Sequence, residues 1–190
     1  MSQVYTIRLA ESVSKRVSAQ DEQRHRVELT PILSAEQTRE LVIASLRADG
    51  WTEVEPGVFE KQQGAERWRW NVDQSEVVAS IELERELSSE VNAVGRGESK
   101  AEATRQAERD IALRKGRVAV ELEAARRNMQ AQVSEQLEQG EEERKRQLNR
   151  VIQQVHADAL KRKAQSLGTV LSIDERESGD EYELVIRIAD

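Results

Sequence analysis

The chain has 190 residues, of which 37% are hydrophobic, 34% charged and only 3% aromatic, with a formal net charge of −7. So thin an apolar supply disfavours one large core and points to elongated helices. Cysteine is absent, which excludes a disulfide framework, a thiolate zinc site and a cysteine nucleophile, and suits a reducing cytoplasm.

The opening residues, MSQVYTIRLAESVSKR, lack a basic start followed by an apolar block. No run in the chain approaches the ~20 apolar residues that a helix needs to cross a bilayer. A cytoplasmic protein without membrane insertion is expected.

Residues 1–97 read as β-structure, because apolar and polar residues alternate with the period of half-buried strands. Tyr5, Ile7 and Leu9 share a face, as do Val27 and Leu29, then Trp68, Trp70 and Val72, and finally Val77, Ala79, Ile81 and Leu83. The stretches EPG at 55–57 and QQG at 62–64 supply turn chemistry, so an antiparallel meander is the simplest arrangement. One helix, 34–49, interrupts it. Ser34 and Gln37 have capping-box spacing, Leu41, Val42, Ser45 and Leu46 form the inward side, and Gly50 is the stop. That helix is expected to lie across one face of the sheet.

From Ser99 the period becomes helical and stays so, without proline, through residue 167. Val118, Leu122, Ala125, Met129, Val133 and Leu137 make one stripe, and Leu148, Val151, Ile152, Val155 and Ala159 a second. The intervals repeat at eleven, which suits nearly straight helix pairs. Gly140 and Arg144 fall where the pattern asks for apolar residues, and Glu141, Glu142 and Glu143 follow the glycine as they would at a new helix start. An antiparallel, coiled-coil-like hairpin over 98–167 with its tip near Gly140 is therefore favoured over one continuous helix, although the stripe keeps its phase across the break.

Charge separates the same segments. Residues 1–97 carry 12 Lys and Arg against 17 Asp and Glu, 98–167 carry 15 against 12, and 168–190 carry 2 against 7. The last segment resumes strand alternation at Leu171 and Ile173 and at Tyr182, Leu184, Ile186 and Ile188, around a turn at ESGD, 177–180. A two-stranded hairpin is marginal alone, so it is expected to join the sheet of the first 97 residues. The expected fold class is α+β, an antiparallel sheet with one short packed helix and a long protruding helical hairpin.

The chemistry-bearing residues make no constellation. His25 and His156 are far apart, and each reads as a packed or solvated imidazole, since a base or metal ligand needs partners. Glu82, Glu84 and Glu86, like Glu141 to Glu143, lack the loop spacing of a cation site. The glycines of GRGES at 95–99 come without the lysine of a phosphate-binding loop. No enzymatic role, cofactor or metal is expected. In RWRW, 67–70, strand alternation sends both indoles to one face and both guanidiniums to the other, which favours core tryptophans, with a partner-binding aromatic patch as the other reading. A nucleic-acid-binding module, using this strand with the basic clusters at 144–146 and 161–163, is the alternative function.

A narrow apolar stripe seldom suffices to hold a long arm by itself, so assembly with another protein or a second copy is expected. The candidate partner contacts are Leu122, Met129, Val133, Leu137, Leu148 and Val155 on the arm, together with Trp68 and Trp70.

The stretch ALKRKAQSLGTVLSIDERESGDEYELVIRIAD, in which a helix ends in LG and leads through an acidic turn to a final LVIRI strand, resembles small accessory proteins of bacterial FtsH ternary systems. The passage VNAVGRGESKAEATRQAERDI, from a strand into a long charged helix, is similar too, and LVIASLRADGW at 41–51 looks more loosely like Ycf35-type proteins. The resemblance implies a non-enzymatic partner of an FtsH-like AAA+ ATPase in stress or conflict responses, and brings no catalytic residue.

Overall fold

The computed structural model describes residues 4–178 and 181–189. Strands β1 (Tyr5–Arg26), β2 (Thr52–Glu55), β3 (Val58–Gln63), β4 (Glu66–Asn71) and β5 (Glu76–Gly97) form one antiparallel sheet in the order β1-β5-β4-β3-β2. Helix α1 spans Ala35–Ala48 and helix α2 spans Lys100–Leu167, while β6 (Thr169–Ser178) and β7 (Glu181–Ala189) make a separate two-stranded sheet. The fold is α+β, as the alternation of periods predicts. The chain divides into two compact units, Met1–Asp21 with Glu82–Glu135, and Glu22–Ile81 with Gln136–Asp190.

In the first unit β1 and β5 lie side by side, with Arg16 and Glu84 paired at 3.2 Å. Their odd-numbered side chains meet the helix. Val91 and Ala93 form a buried cluster with Ile111 and Val118 of α2, and Leu9, Val13 and Leu122 pack against it. Gly95 admits α2 so closely that a Cβ there would lie 2.7 Å from the amide nitrogen of Ala107. Only glycine fits. Ser99 caps the helix, accepting the Glu102 amide at 3.2 Å. Bonds from α2 to β1 then follow in order: Lys115 to Glu11, Glu123 to Lys15, Gln130 to the Gln20 carbonyl and Ser134 to Asp21. Along that series the helix advances nearly two residues for each residue of strand, as rises of about 1.5 Å and 3.3 Å require.

In the second unit the sheet register puts Trp68 opposite Ala79, and Trp70 between Val77 and Phe59, all on one buried face. Arg67 and Arg69 take the other face, where Arg69 pairs with Glu55 at 2.8 Å. Helix α1 has the expected capping box between Ser34 and Gln37 and buries Leu41, Val42, Ser45 and Leu46. Gly50, at φ 82°, turns the chain so that Trp51 reaches the indoles of Trp68 and Trp70, with ring centroids 6.1 and 5.8 Å away. Such tilted and edge contacts add to the area these rings bury.

Two expectations are corrected. The antiparallel helical hairpin with a tip near Gly140 does not exist: α2 is one continuous 68-residue helix. The eleven-residue repeat runs unbroken through Gly140, because its odd member, Arg144, is buried rather than solvated, with 1% of its surface exposed. Nor do the C-terminal strands join the five-stranded sheet; β6 pairs only with β7. With no return of the helix, they find their support on α2 itself, where Lys161 pairs with Glu175 at 2.6 Å. Part of the turn expected at 177–180 lies outside the described residues.

Candidate partner-binding surface

The residues expected to meet a partner are engaged inside the chain. Met129, Val133, Leu137, Leu148 and Val155 are buried, and Leu122 packs half-covered against the Val91–Val118 cluster. Trp68 and Trp70 are each only 2% exposed. These eight positions hold the fold together, so the arm's apolar edge is not an open face, and the tryptophans offer no stacking surface to bases.

The uncovered apolar surface is elsewhere. Among the described residues, six of the twelve large hydrophobic side chains left exposed fall between Leu160 and Ile188: Leu160, Leu167, Leu171, Ile173, Val185 and Ile188. Leu167 and Leu171 are 68% and 67% exposed. Large apolar side chains left bare so often within one short segment make that segment a candidate contact surface.

The local sequence explains how it is built. Gly168 ends α2 with its amide bonded to the Ala164 carbonyl at 3.2 Å, and a Cβ on it would come within 2.8 Å of Ile188 Cγ2. The chain therefore turns into β6 hard against the end of β7. Pairing runs from Ser178↔Glu181 to Thr169↔Ala189, and the register shifts between Val170 and Ser172, where Leu171 is the extra residue of a bulge. One face, with Ile173, Glu175, Tyr182, Leu184 and Ile186, turns towards α2. Gln153, His156, Ala157 and Leu160 line a hollow of about 370 Å³ with Tyr182 and Leu184. The other face leaves Val185 bare. Glu175 joins the layers: it takes bonds from Lys161 Nζ and, at 2.8 Å, from the Tyr182 hydroxyl. These bonds lower the Glu175 pKa, and the same Glu175 contact raises that of Lys161.

A second hollow, of about 410 Å³, lies under the 27–33 segment and α1, lined by Leu29, Leu33, Val42, Trp70 and Val72. At its rim Arg39 and Asp73 bond at 2.8 Å, which lowers the Asp73 pKa and raises that of Arg39. Each charge there is already answered by the other. His156 Nε2 accepts the Thr30 amide at 3.1 Å, a bond that ties the 27–33 segment to α2. Among the described residues no group of three or more His, Asp or Glu could hold a metal ion, and no helix is long and apolar enough to cross a membrane.

The residue that sequence reasoning missed is Arg144. Its Nη1 meets Glu66 Oε1 at 2.6 Å, and its Nη2 donates to Gln23 and to the Leu137 carbonyl. The signal was present in the sequence: an arginine in phase with a buried stripe, four residues after a glycine.

A five-stranded antiparallel sheet, a 68-residue helix and a separate two-stranded sheet with exposed Leu171 define an α+β protein. Residues 1–189 match the family described as FtsH ternary system domain X5, and the chain belongs to that family. No curated protein and no solved structure matches it.

Proposed function

We propose that this protein is a non-enzymatic accessory component of an FtsH ternary system, acting as an adaptor that holds a protein partner of that system, such as its AAA+ ATPase, on the surface formed by β6, β7 and the end of α2. Family membership supports the setting. The observation that carries the reading is the exposure of Leu167 and Leu171, with Ile173 left partly open beside them in sequence. Burying an apolar side chain of this size contributes about 1.5–3 kcal/mol, so three or four of them, ringed by charge, are an adequate anchor for a transient complex. A cytoplasmic seat suits the cysteine-free sequence.

The test is binding of the purified chain to the ATPase and the other products encoded beside it, followed by light scattering. Leu167→Asp and Leu171→Asp, both at exposed positions, should abolish the complex while leaving the thermal melt unchanged. Undiminished binding by the double variant sinks the proposal.

A further inference from the structure

β7 belongs to a two-stranded sheet, and among the described residues its outer edge is unpaired over the nine residues Glu181–Ala189. β6 has an open edge too, but the bulge at Leu171 interrupts it. Bulges blunt an edge, whereas a straight, unpaired one is a template for another strand. β7 carries no such interruption. What it presents outward depends on its sequence, EYELVIRIA.

That sequence is complementary to itself. Antiparallel pairing of two β7 strands about a two-fold axis at Val185, the midpoint of the strand, uses all nine residues. It sets Glu183 opposite Arg187 of the second copy, twice, with Val185 opposite Val185 between them. On the face turned towards α2 it sets Tyr182 opposite Ile188 and Leu184 opposite Ile186. Opposite charges and paired aliphatic side chains directly across a ladder are the contacts that stabilise antiparallel sheets. Shifting the axis to Leu184 or Ile186 breaks the match between Glu183 and Arg187 and leaves strand ends unpaired.

The monomer leaves these groups available. Glu183, Val185 and Arg187 are exposed, and among the described residues neither Glu183 nor Arg187 forms an ion pair. Among the described residues, Asp174, Glu175 and Glu177 belong to β6 and not to the β7 edge. Their repulsion is thus not focused on the β7 edge. A two-stranded sheet is marginal, and a four-stranded one is not.

We infer that the β7 edge is a self-association site at which a second copy of this chain pairs antiparallel about Val185, giving a continuous β6-β7-β7-β6 sheet. The interface is isologous, so one surface patch serves both copies. The inference rests on the reading of the C-terminal strands as a contact surface and names the occupant of their edge. The bare Leu167 and Leu171, at the β6 end, remain for the other partner.

The experiment is light scattering on the purified full chain, without the ATPase. The wild type should run at roughly twice its 21.6 kDa mass. Glu183→Arg alone and Arg187→Glu alone should each give a folded monomer, because like charges then face each other twice across the axis. The double variant, with the charges exchanged, should recover the dimer. Circular dichroism confirms folding of each protein, and Val185→Lys, which places two ammonium groups on the axis, is a further monomer-forming change. A monomeric wild type at high micromolar concentration overturns the inference, as does a dimer that survives both single reversals or an exchanged pair that stays monomeric. Loss of ATPase binding in Leu171→Asp with the dimer intact bears on the proposed function alone.

Discussion

Arg144 of α2 and Glu66 of β4 form an ion pair at 2.6 Å with 2% and 13% of their side chains exposed. Glu66 is engaged twice, since its other oxygen accepts the Trp68 indole N–H at 2.7 Å. Removing one member of a buried pair strands the other charge, at a cost of about 3–5 kcal/mol. Arg144→Met should therefore lower stability in urea by about that much. Adding Glu66→Gln should recover part of the loss, because the neutral amide still accepts the indole bond and no charge is left alone. A double variant no more stable than Arg144→Met contradicts this account.

Two helical glycines should respond in opposite senses. At Gly116 a Cβ meets nothing within 4 Å, so Gly116→Ala should gain up to about 1 kcal/mol from helix propensity. At Gly140 a Cβ would lie 2.7 Å from Arg144 Nη1, and it also intrudes on Glu66. Gly140→Ala should lose stability in place of that gain. Paired denaturation curves decide it.

His25 sits beside that pair with its Nε2 buried and unbonded. Partial burial, then the positive charge of Arg144 and Lys145, holds its pKa below the ordinary 6.5, against an opposing pull from Glu141. The folded state thus binds fewer protons than the unfolded state as pH falls below 6.5, and stability declines there. The lowered carboxylates, Glu53, Asp73, Glu141 and Glu175, keep their contribution until pH falls through their folded values, below the ordinary 3.8 to 4.5. His25→Gln should flatten the curve between neutral and mildly acidic pH, and an unchanged slope would exonerate the histidine.

Ser34 accepts the Gln37 amide at 3.3 Å, and the Gln37 side chain accepts the Ser34 amide at 3.4 Å. Ser34→Ala should cost about 1 kcal/mol and Ser34→Gly only a few tenths. The ratio of the two losses tests the cap itself.

Buried indoles predict blue-shifted tryptophan emission that oligonucleotides leave unquenched at low salt. Quenching with a steep salt slope would instead revive a nucleic-acid role for the basic clusters.

Local pattern made much of this fold legible. Period-two alternation placed the tryptophan face, Ser34 and Gly50 placed α1, and the change of period at Ser99 placed the start of α2. Two residues break the pattern. Gly140 and Arg144 look like a helix break when arginine is assumed to face water; the partner that lets it be buried, Glu66, is 78 residues away in sequence. Because α2 is continuous, β6 and β7 pair with each other and not with the five-stranded sheet. Consecutive Leu184, Val185 and Ile186 give β7 two apolar faces, and alternation alone does not say that Val185 is the one left uncovered.

Neither compact unit is encoded as one contiguous stretch, since each needs residues from both early and late in the chain. On the ribosome, Glu22–Ile81 emerges well before Gln136–Asp190 can complete its unit. Until Arg144 has been synthesised, Glu66 has no counter-charge. A nascent chain halted within α2 would expose a half-built apolar face, the kind of surface that chaperones bind and that aggregation exploits.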